Sequence, residues 1–267
     1  VLQGATLNIN GTLTNNVTLR GDRNDPAYDT IPKNWNSIKM EAGSTLNMNY
    51  ARLFGGTKGL EMKQANATIS NSFIHNFQEY GIYSIGSTIT ARNLVMNNCG
   101  ESAIGIFRGG TYNLTHCTIA NYSDLLQSYN RNGIFATNEW KNESNQTEQG
   151  ALIINVRNSI VYSDRENAVF FEQTPGQLFN FTIENCLLKY SNQSEAGFMD
   201  TAPSVIQLVK NQDPLFVNYF AAQMNLRVKQ NSPAIGKGNI AVAATVPTDI
   251  AGISRTSNPT LGAYQYQ

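Results

Sequence analysis

The chain has 267 residues, a formal net charge of zero and only 14% charged residues. That balance leaves no basic surface for nucleic acid and no Lys/Arg cluster for a membrane surface, and no apolar run is long enough to cross a bilayer as a helix. The length suits one elongated domain over 1–267, and no linker-like stretch divides it.

The chain starts directly in strand-like sequence, Ala5-Thr6-Leu7-Asn8-Ile9, and reads as a mature or trimmed fragment, so a missing leader says little. Leu7, Ile9, Leu13, Val17 and Leu19 are expected in a first coil, 21–34 in a loop, and Trp35 as a plug for the interior. From Gly43 to Tyr190 the sequence then repeats about every 22 residues. Asn71, Asn93, Asn158 and Asn185 fall in one column, with His116 in the third place. Ten residues later comes a Gly/Ala-aliphatic strand, at Gly81, Ala103 and Ala168, and at Gly133 after an insertion. Apolar and polar residues alternate with period two, β-branched and aromatic types dominate, and Gly and Asn punctuate the runs. Three short strands per turn, all advancing one way, give an all-β, single-stranded parallel β-helix solenoid. Its coils stack about 4.8 Å apart, so identical positions lie over each other. Asn71, Asn93, His116, Asn158 and Asn185 are then expected to form an inward, hydrogen-bonded structural ladder.

The coils "TISNSFIHN…GIYS" and "VRNSIVYSDRENAVFF", with the asparagine column, resemble the right-handed parallel β-helix proteins of the pectin-lyase-like superfamily. Leu19-Arg20-Gly21-Asp22-Arg23, then Tyr28-Asp29 and Trp35, is similar to the first coil of β-helix surface lipoproteins of the Bacteroidota. Asp213-Pro214-Leu215-Phe216, Asn231-Ser232-Pro233, Gly236-Lys237-Gly238, Asp249 to Arg255 and Leu261-Gly262-Ala263-Tyr264 are similar to the closing segment of that group. Thr260 and Gln265 stand where acidic residues are common. The resemblance implies a right-handed coil, export, and exposure at the cell surface on an outer-membrane lipid anchor. It says little about activity, because such folds carry lyases, hydrolases, adhesins and binding proteins alike.

Cys117 and Cys186 share a column with one coil between them, about 9–10 Å apart, too far for a disulfide. They and Cys99 are expected as free thiols, the first two as small buried fillers. No metal spacing occurs, and neither metal nor cofactor is expected. The sequons at Asn66, Asn113, Asn142 and Asn180 suit chance in a chain this rich in Asn and Thr. Asp29-Thr30-Ile31 and Asp200-Thr201-Ala202 look like a bacterial O-glycosylation signal.

The repeat breaks once. His116 to Asn158 is 42 residues where 23 separate Asn93 from His116. The excess divides into insertions over 122–132 and 138–149, one on each side of the strand 134–137. With Ile82, Ile104, Ile134 and Val169 facing inward, the outward columns are Glu61, Tyr83, Gly105, Phe135, Phe170 and Lys63, Ile85, Phe107, Thr137, Glu172. An apolar stripe of that size is either covered, by the insertions through Leu125, Leu126, Tyr129 or Trp140 or by the tail after Tyr190, or open for a sugar ring or a protein. The candidate binding residues are therefore Tyr83, Phe107, Arg108, Arg131, Phe135, Trp140, Lys141, Phe170 and Glu172.

A lyase would need a base and a cation for enolate-like charge, and Arg108, Arg131, Lys141 and Arg165 are candidates for the base. A hydrolase needs paired carboxylates, and Asp124, Glu139, Asp164 and Glu172 do not occupy adjacent coils of one outward column. The expected role is a non-catalytic surface β-helix that binds a glycan or docks on an outer-envelope protein. A polysaccharide lyase or hydrolase is the alternative, and an adhesin-type stalk the second. After Tyr190 the repeat fades, and 191–267 is expected to supply the last strands and a C-terminal closing segment over the open end of the stack. Asp249 and Arg255 are expected to pair and hold its last loop.

Overall fold

A computed structural model describes residues 1–23, 25–122, 132–191 and 202–267. The chain is a right-handed β-helix of parallel strands, and each coil has three faces. The first face stacks Ile38–Met40, Leu60–Lys63, then the starts of the long strands Tyr80–Cys99 and Ser102–Thr115, then Asn132–Thr137 and Val169–Glu172. The second stacks from Thr6–Asn10 to Phe179–Glu184 and the short Val205–Ile206. The third stacks from Val17–Leu19 to Leu187–Leu188 and Val209–Lys210. Strict two-residue alternation sends one apolar column per strand inward. Met48, Ile69, Ala91, Leu114, Val156 and Ile183 lie rung over rung, all at most 2% exposed.

The coil turns sharply because single residues adopt the left-handed conformation. Between second and third faces these are Tyr50, Asn71, Asn93, His116, Asn158, Asn185 and Gln207, with φ between 46° and 52°. Asn is the L-residue that tolerates this region best, which explains the sequence column. The column does not form one continuous inward ladder. Asn71 Nδ2 donates to Asn49 Oδ1 at 3.0 Å and Asn93 Nδ2 to Asn71 Oδ1 at 2.8 Å. Farther on, Asn158 Nδ2 donates to His116 Nε2 at 3.0 Å. Asn185 instead donates forward, to Gln207 Oε1 at 2.7 Å. The breaks arise because the column faces outward and meets the tail.

Residues 213–266, expected to cover the open end of the stack, instead pack along its flank. The reason is a second apolar column on the outside of the third face, Phe73, Val95, Ile160, Leu187 and Val209. The tail covers it with Phe216, Leu226, Val228, Ala234, Ile250, Leu261 and Ala263. Apart from the two alanines, each such side chain stabilises the fold by about 1.5–3 kcal/mol when fully buried. The tail then docks on the corner column as a strap. Asn185 Nδ2 donates to Lys237 O at 2.9 Å, and Asn93 Nδ2 to Thr248 O at 3.0 Å. Asn158 makes two bonds to Asn239, Nδ2 to O at 2.9 Å and Oδ1 from N at 2.8 Å. Asn239 also caps the short helix Ile240–Ala244 through its side-chain oxygen. Gly262 sits between His116 and Asn158 with φ 89°, where a Cβ would lie 2.5 Å from Thr118 Oγ1. That close approach is why the tail motif needs glycine.

Arg255 does not form an ion pair with Asp249. Its Nη atoms donate to Gly262 O, Ala263 O and Asn93 Oδ1 at 3.1–3.2 Å. Asp249 accepts from the backbone of Ala251, Ile253 and Gln265. Thr260 N donates to Gln265 Oε1, and Thr260 Oγ1 accepts from Tyr266 N. Leu13, expected in the first coil, is 47% exposed and lies beside Gly252 of the strap. Trp35 packs edge-on to Phe77 at 6.1 Å and donates to Phe54 O. Cys99, Cys117 and Cys186 are free and buried, and burial pushes each thiol up to about 12, so none is poised as a nucleophile.

Candidate functional site

The groove expected beside the strand 134–137 is not where a cleft forms: the cleft lies under the insertion 138–149, against the ends of earlier first-face strands, and no residue of 134–137 lines it. The insertion 138–149 is a β-hairpin, Glu139–Lys141 antiparallel to Thr147–Gln149. Asn142 organises its turn: Oδ1 accepts from Ser144 N and Gln146 N at 3.0 and 2.9 Å, and Asn145 takes φ 59°. Asn138 anchors the base by exchanging two bonds with the Thr174 backbone, at 2.8 and 2.7 Å. The hairpin then leans back over earlier coils. Trp140 and Glu148 are directly opposite in the ladder and share a face. Trp140 Nε1 donates to Tyr83 Oη at 3.2 Å, and Glu148 Oε2 pairs with Arg108 Nε at 2.9 Å.

Between hairpin and coil lies a cleft of about 290 Å³. Ile85, 6% exposed, and Trp140 give it apolar surface. Lys63, Gln64, Arg108 and the hairpin turn residues Asn142 to Ser144 supply polar groups. Both Glu148 oxygens are engaged, one by Arg108 and one by Asn142 Nδ2 at 2.9 Å.

The outward aromatic residues form one half-buried ladder running away from the cleft. Ring centroids are 4.9 Å apart for Tyr83–Phe107, 5.5 Å for Phe107–Phe135 and 6.0 Å for Phe135–Phe170, the last pair stacked at 8°. The Tyr80 ring lies over Gly105 and bridges the gap that the missing side chain leaves. A Cβ at Gly105 would sit 2.7 Å from that ring. Gly105→Ala is expected to cost about 1–3 kcal/mol and to move the Tyr80 ring, seen as a shift in urea midpoint with changed near-ultraviolet circular dichroism.

Of the sequence candidates, Arg108 and Trp140 line the cleft and Tyr83 supports Trp140. Phe107, Phe135 and Phe170 extend the ladder beyond it. Lys141 does not line the cleft: alternation puts it on the hairpin face opposite Trp140, paired with Thr147. Glu172 is exposed on the rung after Thr137. Arg131, Asp124, Leu125, Leu126, Tyr129 and the Asp200-Thr201 signal lie outside the described residues. Sequence reasoning missed Gln64, Asn142, Glu143, Ser144 and Glu148 as lining residues. The alternation Trp140/Lys141 and Thr147/Glu148 around an Asn-rich turn was the available signal.

The groups with strongly shifted protonation lie elsewhere. Burial, aided by Arg52, lowers His75 to about 3. Burial, aided by Arg255, lowers His116 to about 2. His116 Nδ1 meets Gly262 O at 3.3 Å and its Nε2 accepts from Asn158, so the ring is neutral with its proton on Nδ1. Among the described residues no three His, Cys, Asp or Glu side chains gather as a metal site, and no helix is long and apolar enough to cross a membrane.

The family model described as right handed beta helix region matches residues 58–212. The chain belongs to that family. No curated protein sequence matches it. Among solved structures, one titled "Crystal structure of pectate lyase Pel9A" aligns with 12% identity and a TM-score of 0.30, over 100% of this chain and 85% of that one.

Proposed function

We propose that this protein is a non-catalytic, exported β-helix protein that binds a glycan in the cleft between the hairpin and the first face. The observation that carries this reading is Trp140, hydrogen-bonded to Tyr83 and lining the cleft with Ile85, amides and charges. An indole face with nearby amide and charged groups suits the C–H face and hydroxyls of a sugar ring. Glu148, which could have served as an acid or base, is committed to Arg108 and Asn142. The role is surface display on a bacterial envelope, tethered by a lipid.

Trp35 and Trp140 are the two tryptophans of the chain, and Trp35 is packed against the core. Ligand binding in the cleft is therefore expected to change intrinsic fluorescence through Trp140. A glycan array should identify a binder, and Trp140→Ala should weaken it at least tenfold. Binding that survives Trp140→Ala unchanged excludes the cleft. Release of unsaturated uronides or reducing sugar from polysaccharides would instead establish the lyase or hydrolase reading.

A further inference from the structure

A larger cavity, about 790 Å³, opens at a different corner of the coil, between the last rungs and the start of the strap. Its walls carry four carboxamides: Asn185 and Gln207 of the corner column, Gln212 just after it, and Asn231 of the tail. Leu208, Val209 and Pro233 add apolar surface. Among the described residues that line it, Lys237 alone is ionisable.

The hydrogen bonding here is incomplete. Asn158 Oδ1 takes the Asn239 N–H, and Asn93 Oδ1 takes an Arg255 N–H. Asn185 is only 6% exposed, yet its Oδ1 has no donor. Gln207 accepts from Asn185 through Oε1, and its amide nitrogen has no acceptor among the described residues. The side chains of Gln212 and Asn231 are exposed and likewise make no hydrogen bond among the described residues. Gln207 is exposed as well, so the buried polar atom left without a partner is Asn185 Oδ1; such atoms are rare in folded proteins and call for an explanation.

We propose that this cavity is a second ligand site, separate from the hairpin cleft, that takes a neutral oligosaccharide. Each carboxamide offers two donors and an acceptor, and each sugar hydroxyl both donates and accepts, so a run of hydroxyls matches a cluster of amides. The apolar wall of Leu208, Val209 and Pro233 meets the C–H face of a ring. A carboxylate or phosphate ligand offers acceptors only, leaves the amide oxygens facing negative charge, and finds one ammonium group. The volume lies within the range of about 300–1,000 Å³ typical of small-ligand sites.

The test is calorimetric titration of the Trp140→Ala protein, whose cleft is disabled, with maltotriose, cellotriose and xylotriose, and with a uronic-acid trisaccharide. Gln212 has an ordinary backbone conformation and an exposed side chain, so Gln212→Ala leaves the fold intact. Binding of a neutral trisaccharide is expected to persist in Trp140→Ala, to weaken at least tenfold when Gln212→Ala is added, and to be unchanged by Lys237→Ala. The proposal is overturned if no neutral trisaccharide binds, or if Gln212→Ala has no effect. Binding of the acidic trisaccharide alone, lost on Lys237→Ala, also overturns it and makes the cavity an anion site.

Discussion

Asn158→Ala is expected to destabilise the protein by about 4 kcal/mol, near the upper end for a single substitution. Asn158 is fully buried and joins three partners: His116 Nε2, Asn239 N–H and Asn239 C=O. Each buried group left unpaired costs about 1–3 kcal/mol. The backbone adds to this, since φ is 48° and alanine in the left-handed region costs about 1–2 kcal/mol. Asn158→Gly removes the same hydrogen bonds without the backbone strain, and should recover about 1 kcal/mol of the loss. Urea midpoints of the two variants against the parent protein measure both contributions. Equal stability of Asn158→Ala and the parent would mean that the strap contributes nothing at this corner.

Acid should weaken the fold well before the carboxylates titrate. His75 and His116 are held neutral in the folded state, with values near 3 and 2, while in the unfolded chain each takes up a proton near 6.5. A base whose folded value is depressed stabilises the fold fully above the unfolded value. That contribution is lost as pH falls from 6.5 towards 3. At pH 4.5 the loss is about 2–3 kcal/mol for each ring, together a large share of the roughly 5–15 kcal/mol that holds a domain folded. His116→Asn separates the two. Asparagine occupies the equivalent corner at 71, 93, 158 and 185 and tolerates the φ of 51° found at His116. The variant should fold at pH 7 and lose about half as much stability between pH 6.5 and 4.5. If its urea midpoint falls as steeply as that of the parent, the buried imidazole at 116 is not the cause.

The stacking of coils was legible in the sequence because a parallel solenoid puts the same residue type at the same place in every turn. The Asn column, the Ile82–Ile104–Ile134–Val169 column and the outward aromatic residues all follow from that. The strap was not legible in the same way. It is aperiodic, and its partners are the outward side chains Val95, Ile160 and Leu187, whose cover no local pattern specifies. An exposed apolar column on a second face was the clue, since it demands a cover as the first face does. Arg255 was misplaced for a related reason. Sequence proximity favoured Asp249, whereas the guanidinium reaches Asn93, 162 residues away. Half the cleft was missed because a hairpin inserted in a solenoid obeys its own two-residue alternation, which turns Trp140 and Glu148 towards the coil and Lys141 away.

The strap also has a consequence for how fast the molecule comes apart. Rung contacts join residues about 22 apart, as in the Asn93–Asn71 bond, whereas strap contacts span 52 to 162 residues. Closing such long loops is slow, and late contacts of this kind are absent from the transition state for folding. Interactions formed after the barrier hold back unfolding without speeding folding. The seam at Asn93, Asn158 and Asn185 therefore acts as a kinetic latch, and in Asn158→Ala the extra instability should surface as faster unfolding with refolding unchanged.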